Sequence, residues 1–493
     1  MSKRGKTNNP VPKHTLSKTS FMQYLACPGE LYLAFQAREK SIEEAPSLEM
    51  LHIFEQGNLI DNLAQDWFPL YWQQQNNQLS NISFQLVVET ADYFVRADIV
   101  VGGNSDKSIH LIEVKASTGV KEEHIFDLAF QRMVFEKAGF QIESILLIHV
   151  NREYRIEKET DYSKLLSIED CTEKVATIFP TIEPIARQAL ACINGQQPLI
   201  SLFSTCGAKL DCAFVRTHFP DIPDYHIGKI ANLRSKKYQQ LLEQGILDIK
   251  DIPADFPLSA KQCLQVEVAQ QEQASIQHQA IKDVLDELVY PLYFLDYESF
   301  PYVIPCQTKY GPYSQMLIQY SLHTISEVGA KPVHTEYLLD AKTEPVENLI
   351  HQLQQEITST TGTVIVWHKA FESTRHKELA LLYPQFANFV QSLNARIFDL
   401  KEIFSKGLYV DARFNGSASL KAVLPVLCPE LSYHDLVINN GILAGVKWHH
   451  MTSEGKMTEE EQAATRRDLL RYCELDTWAM VRIWEEVRLK INL

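Results

Sequence analysis

Residues 293–300 read YFLDYESF, and they set Asp296 and Glu298 inside a run of Tyr293, Phe294, Leu295, Tyr297 and Phe300 that otherwise has the composition of a buried strand. Side chains alternate across a strand, so acids two positions apart share a face and lie about 7 Å from one another. Two bare carboxylates so placed repel, and each raises the other's pKa unless a cation neutralises them. A metal is the natural partner, with a buried ion pair or a strand edge as the alternatives. Two later stretches have the form to complete such a site. VIVWHKAFESTRHKEL (364–379) passes from strand to helix with Glu372 at the helix start, and DLLRYCELDTWAMVRIW (468–484) is a helical pattern that stacks Tyr472 over Asp476, four positions on.

The rest of the chain sets the bounds. Its 493 residues, 45% of them apolar and 10% aromatic, suffice for sizeable cores in more than one domain. No apolar run approaches the roughly 18 residues of a membrane span, and MSKRGKTNNPVPKHTLSKTS (1–20) lacks the apolar centre of a signal peptide. These features predict a cytoplasmic protein with no membrane partner. Nine irregularly spaced cysteines do not form a secreted disulfide framework; they read as reduced thiols, some of them metal ligands. A net charge of −15 argues against nonspecific coating of nucleic acid, yet acidic sites that hold divalent metals are compatible with it.

The chain reads as an α/β (α+β) protein in four segments. Residues 1–19 form a basic flexible tail carrying Lys3, Arg4, Lys6, Lys13 and Lys18 and no acid. Residues 20–220 hold β-rich runs SFQLVVET (83–90), YFVRADIVVGG (93–103) and IHLIEVKAS (109–117), expected as an antiparallel meander. A helix over KEEHIFDLAFQRMVFEKAG (121–139) and a buried strand ESILLIHV (143–150) follow. Residues 221–288 read as a helical connector. Residues 289–493 open with the quoted strand, continue with TVIVW (363–367), and end in a long helix from about Glu459.

In the first large segment the chemistry-bearing candidates are Asp98, Glu113, Lys115 and Gln131. Asp98 ends a strand that turns at Gly102-Gly103, and Glu113 and Lys115 project from one face of the next strand. That set suits phosphodiester hydrolysis: Asp98 and Glu113 would bind Mg²⁺, which acidifies water, and Lys115 would offset charge growing on the phosphate. A same-face ion pair on an exposed strand is the bland alternative.

The order of these residues resembles the PD-(D/E)XK nucleases, in particular their RecB-like branch, whose metal-binding Asp, Glu-x-Lys strand and helix Gln map to Asp98, Glu113, Lys115 and Gln131. The resemblance implies a restriction-endonuclease-like fold. In EQGNLIDNLA (55–64), Asp61 stands where the branch has His or Glu, four positions after Gly57. The branch often carries an iron–sulfur cluster; YLACPGELYL (24–33) and STCGAKLDCAFVRTHF (204–219) supply Cys27, Cys206, Cys212 and, where a further cysteine is expected, His218. Three cysteines and a histidine suit Zn²⁺ as readily as iron–sulfur, with Cys171 and Cys192 as substitute ligands; ordinary buried thiols are the alternative.

The second large segment resembles the DEDD exonucleases, the DnaQ-like group of the ribonuclease H-like fold. By that resemblance Asp296 bridges two Mg²⁺ or Mn²⁺ ions, Glu298 and Asp476 share one of them, Glu372 serves the other, and Tyr472 orients the attacking water. The family's Asn-x-x-Phe-Asp is here HKAFE (368–372), with His368 and Glu372 as departures. Asp399 is a reserve ligand or a helix cap; FNGSASLKAVLPVL (414–427) directs a helix N-terminus and Lys421 at a phosphate, or Gly416 and the serines make an ordinary loop and cap; and His376, Cys428 and Cys473 read as structural.

Together the halves resemble a bacterial family of uncharacterised proteins that fuses a RecB-like nuclease to a DnaQ-like exonuclease, through NGSASLKAVLPVLCPELSYHDL (415–436) and YCELDTWAM (472–480). The resemblance implies this domain organisation and a nuclease activity but supplies no substrate; the expectation taken from the whole sequence is a nuclease with two active sites, acting on DNA rather than RNA, in DNA repair or defence. A catalytically decayed nucleic-acid-binding scaffold, marked by the departures at Asp61, His218 and His368, and an RNA-trimming exonuclease are the other readings.

Overall fold

The computed structural model describes residues 14–39, 45–75, 81–105, 107–157, 161–199 and 209–492. They form a mixed α/β protein. They divide into two compact units: the first comprises the described residues within Met1–Ser47, Ile53–Tyr154 and Asp161–Pro220, the second those within Leu48–His52, Arg155–Thr160 and Asp221–Leu493. No described helix is long and apolar enough to cross a membrane.

Unit 1 begins with β1 (Leu16–Ser17), α1 (Lys18–Ala26) and α2 (Pro28–Glu39), followed by most of α3 (Leu48–Gln74). The meander β2 (Ile82–Glu89), β3 (Tyr93–Gly102) and β4 (Ser108–Lys115) comes next, and α4 (Glu122–Lys137) leads to β5 (Gln141–Val150). The unit closes with α5 (Tyr162–Leu165), β6 (Leu166–Asp170), α6 (Thr172–Ile193) and α7 (Ala213–His218). Strand β3 pairs antiparallel with β2 and β4, whereas β4 and β5 run parallel because α4 carries the chain back across the sheet. The basic tail does not extend to residue 19. Leu16 and Ser17 pair in parallel with Tyr93 and Phe94, Leu16 is fully buried, and Ser17 caps α1 by accepting from the Ser20 amide at 3.1 Å. Phe21 then stacks on Phe130 of α4 with ring centroids 4.4 Å apart. Apolar Leu16 and Phe21 thus hold in the core a segment whose charges alone suggested disorder.

Unit 2 begins with α8 (Ser235–Glu243), α9 (Ala260–Gln271), β7 (Ser275–Ile276) and α10 (His278–Asp286). Residues 221–288 are therefore not a separate connector. Ile281 and Leu285 of α10 are buried in the same apolar core as the strands that follow, and β7 pairs antiparallel with Tyr409–Val410. The main strands are β8 (Leu292–Pro301), β9 (Gln315–Ile325) and β10 (Val333–Leu338); α11 (Val346–Glu356), β11 (Thr363–Val366), α12 (Lys369–Leu382), α13 (Ala387–Ala395) and β12 (Ile397–Asp399) succeed them. The chain ends through α14 (Glu402–Ser405), β13 (Tyr409–Val410), α15 (Leu420–Leu427), α16 (Gly441–Met451) and α17 (Glu459–Lys490). The five-stranded sheet has the order β10-β9-β8-β11-β12, antiparallel from β10 to β8 and parallel from β8 to β12. Strand β8 is central, so its apolar residues are buried on both faces and its two acids stand out against them.

Helix α17 begins with a capping box: the Glu461 carboxylate accepts from the Thr458 amide at 2.8 Å while the Thr458 hydroxyl accepts from the Glu461 amide at 3.3 Å. Thr458→Ala is expected to cost about 1 kcal/mol, read as a lower urea midpoint at unchanged slope.

Candidate metal centres

In unit 1 the carboxylates converge where β3, β4, α1, α3 and α4 meet. Glu113 is 1% exposed, and both its oxygens are engaged. Its Oε1 accepts from Lys115 at 2.7 Å and from Lys18 at 2.6 Å, and its Oε2 accepts from Gln131 at 2.7 Å. Lys115 also donates to Asp127 at 2.6 Å, and Gln131 to the other Asp127 oxygen at 2.9 Å. Burial alone would raise Glu113, but Lys115 and Lys18 outweigh it and hold the carboxyl below the usual range. Burial likewise would lower both lysines, yet Glu113 and Asp127 keep them above theirs.

Lys18 and Lys115 also attract Asp98, but they do not outweigh its burial. Its Oδ2 accepts from the Val114 amide at 2.9 Å, and burial, followed by repulsion from Glu113, pushes it up to about 8. Gln85 bridges Asp98 and Asp61, donating to them at 3.4 and 2.9 Å. Gln85 stands opposite Asp98, between the pairs Phe84–Ile99 and Leu86–Ala97, and its backbone has φ +54°. Asp61 is raised by burial, and its Oδ1 is buried without a partner. It is half-buried, and repulsion from Glu113 adds to the rise.

The cysteine set is not assembled by the described residues. Cys27 and Cys212 are buried, and the Cys27 thiol is raised by burial and further by Cys212. Cys206 lies outside the described residues. His218 turns elsewhere, with Nδ1 donating to the Phe214 carbonyl at 2.7 Å and Nε2 accepting from Gln197 at 2.9 Å. Burial raises Cys171 and Cys192 to about 11, as expected of core thiols.

In unit 2, Asp296, Glu298 and Asp476 bring one carboxylate oxygen each within 4.8 Å of one another. Burial raises all three, Glu298 to about 8 and Asp476 to about 6, with Asp476 repelling both of the others. Tyr433 donates a hydrogen bond to Asp476 and packs edge-on against Tyr472. Lys421 lies 5.4 and 5.8 Å from the rings of Tyr433 and Tyr472. A β-carbon at Gly441 would come within 3.2 Å of Glu298 Oε2, so a larger residue there would crowd that carboxylate.

Glu372 stands outside the trio but adds to the repulsion on Asp296. It is 2% exposed, its Oε2 has no hydrogen-bond partner, and burial raises it to about 8. Asp399 acts as a cap, accepting from the amides of Lys369 and Lys401 at 3.0 and 3.1 Å. His368 is exposed at the start of α12. His376 is structural: Nδ1 donates to Asn394 at 2.8 Å and Nε2 accepts from Tyr297 at 2.9 Å.

Residues 293–419 match a domain of unknown function, DUF2779. The match includes Asp296, Glu298 and Glu372 and stops short of Tyr472 and Asp476. The "Uncharacterized protein MG366 homolog" of Mycoplasma pneumoniae is 27% identical over 225 residues, 41% of this chain and 33% of that protein. "Uncharacterized protein UU173" of Ureaplasma parvum is 25% identical over 229 residues, 42% of this chain and 32% of that one. The chain thus spans about a third of the length of the curated relatives it matches. A solved structure titled "Crystal structure of SSO0001" aligns with 42% of this chain and 89% of its own at 14% identity, with a TM-score of 0.23, too low to bear on the fold.

Four contributors to these centres escape a reading by motif. Lys18 depends on the pairing of Leu16 and Ser17 with Tyr93 and Phe94, Gln85 on its place opposite Asp98 with a positive φ, and Tyr433 on a loop. Asp127 carried a usable signal, since it lies four positions before Gln131 on the same helix face.

Proposed function

We propose that the protein is a metal-dependent nuclease with two active sites, a PD-(D/E)XK-like one in unit 1 and a DEDD-type 3′–5′ exonuclease site on a ribonuclease H-like unit 2, acting on DNA. The observation that carries this reading is the trio Asp296, Glu298 and Asp476, whose carboxylate oxygens lie within 4.8 Å of one another and whose pKa values burial raises, with Asp476 raising the other two further. Such a donor set fits divalent cations, and the unpartnered Glu372 Oε2 is a further free oxygen beside it. The parallel β8-β11-β12 edge, the antiparallel β8-β9-β10 edge and a last helix bearing Tyr472 and Asp476 support the fold assignment for unit 2. For unit 1 the support is the β3-β4-α4-β5 order with Asp98, Glu113, Lys115 and Gln131 gathered in it.

Mg²⁺ or Mn²⁺ would supply acidified water and charge neutralisation at the phosphate. The chain's own groups supply the rest. Asp296, Glu298 and Asp476 would hold the ions, Tyr433 fixes the Asp476 rotamer, Tyr472 orients the nucleophilic water, and Lys421 draws in a phosphate. In unit 1, Asp98 and Glu113 would hold an ion, and Lys115 offsets charge on the scissile phosphate. Wild type is expected to degrade end-labelled single-stranded DNA with Mg²⁺ or Mn²⁺ faster than RNA, and Lys115→Ala/Asp296→Ala to leave both intact. Intact substrate with either metal, or full activity in the double variant, would sink the proposal.

The trio also sets a pH dependence. Glu298 and Asp476 hold their protons to higher pH when folded than when unfolded, so their contribution to stability is full below about pH 4 and is lost as pH rises through 6 and 8. A bound cation requires the deprotonated forms, so Mg²⁺ should raise the melting temperature more at pH 8 than at pH 5.5. Thermal melts with and without Mg²⁺ test this, with Asp296→Asn/Asp476→Asn expected to lose most of the pH-dependent gain.

A further inference from the structure

The crowding at Glu113 Oε1 constrains any ion that binds there. Two ammonium groups, Lys18 at 2.6 Å and Lys115 at 2.7 Å, share that single oxygen while Gln131 occupies the other. A divalent ion can reach Glu113 only if one of these donors leaves. The two lysines are not equally held. Lys115 has a second close carboxylate, Asp127 Oδ2 at 2.6 Å, whereas the second partner of Lys18, Asp127 Oδ1, is 3.9 Å away. Lys18 therefore has the weaker hold on the cluster.

Its placement is nonetheless built into the fold. Leu16 and Ser17 are paired to β3, Ser17 caps α1, and Phe21 is stacked on Phe130, so the backbone at the first position of α1 is fixed beside the carboxylates. The flexible part is the four-carbon stem of Lys18; its side chain is 22% exposed against 25% for Lys115, so the number of close carboxylates, and not exposure, separates the two lysines. Asp98 also attracts Lys18, behind Glu113 and Asp127, and is itself repelled by Glu113.

We propose that Lys18 is a resident counter-cation of the unit 1 site, which neutralises Glu113 in the metal-free protein and competes with a divalent ion for Glu113 Oε1. The proposal rests on the reading of unit 1 as a metal-dependent site. It makes Lys18 a residue that sets how much metal the site requires, in contrast to Lys115, which stays in place.

Calorimetric titration of the full chain with Mn²⁺ tests it, in an Asp296→Asn/Asp476→Asn background that removes the unit 2 trio. Lys18→Met and Lys18→Gln are expected to tighten Mn²⁺ binding about threefold or more, because a positive charge beside the ion is removed. Lys18→Arg, which keeps the charge, should stay near the parent value. Unchanged or weaker binding in whichever neutral variant folds overturns the inference while leaving the site intact. If the parent takes up no Mn²⁺ that Asp98→Asn abolishes, the reading of unit 1 fails, and the competition falls with it.

Discussion

On the proposed reading, replacing Asp296 with Ala is expected to lower metal-dependent release of nucleotides from a 3′ end by about 10³-fold or more, since the ions would contribute several kcal/mol to the transition state and each 1.4 kcal/mol is tenfold. Asp296 lies on the central strand of the unit 2 sheet and is repelled by Asp476, Glu298 and Glu372 together. A neighbouring thiol, Cys473, has Sγ 3.8 Å from Asp296 Oδ2, a weak donor at best. Among the described residues no cation pairs with Asp296 to stabilise its ionised form in the metal-free protein. Removing the acid should therefore leave the metal-free melting temperature unchanged or raise it, which separates loss of chemistry from loss of fold. The assay uses 5′-labelled single strands in a Lys115→Ala background, so that the remaining activity belongs to unit 2. Retention of more than about a tenth of the rate would mean that Asp296 holds no ion essential to the reaction.

What the sequence discloses about these sites depends on how local the signal is. Asp296 with Glu298, and Glu113 with Lys115, are legible because strand alternation puts neighbours two apart on one face whatever the tertiary structure. Tyr472 and Asp476 are legible for the equivalent helical reason. Lys18 is not, since its charge and its polar neighbours in the first 20 residues suit a disordered arm. What overrides that reading is a two-residue pairing with Tyr93 and Phe94 and the burial of Leu16 and Phe21. Residues 221–288 mislead in the opposite sense. Their helical patterns are real, but the apolar faces of Ile281 and Leu285 find their core among strands that come later in the chain. His218 has the right chemistry for a ligand and the right spacing after Cys212. Local bonds to Phe214 and Gln197 take both of its nitrogens instead.

The largest effect expected in unit 1 is that of Lys115→Met, which should lower cleavage of circular single-stranded DNA, a substrate without ends, by about 10²- to 10³-fold in the Asp296→Asn background. The same change should also destabilise the metal-free protein. Glu113 is 1% exposed and Asp127 3%, and Lys115 is the cation that bridges both at 2.7 and 2.6 Å. Removing one partner of a buried pair costs about 3 kcal/mol or more because the remaining charge is uncompensated. Lys18 and Gln131 still donate to Glu113, so the cost should fall at the low end of that range. Reduced activity alone could then be ascribed to partial unfolding, and the double variant Lys115→Met/Glu113→Gln removes that ambiguity. With both charges gone, the amide oxygen introduced at position 113 can still accept from Lys18, and Asp127 keeps Gln131 as a donor, so stability should recover most of the loss in a urea titration. Activity should not recover, because neither the ion's ligand nor the group that offsets phosphate charge is present. Joint recovery of both would identify the Glu113–Lys115 pair as a structural ion pair and remove unit 1 from the chemistry.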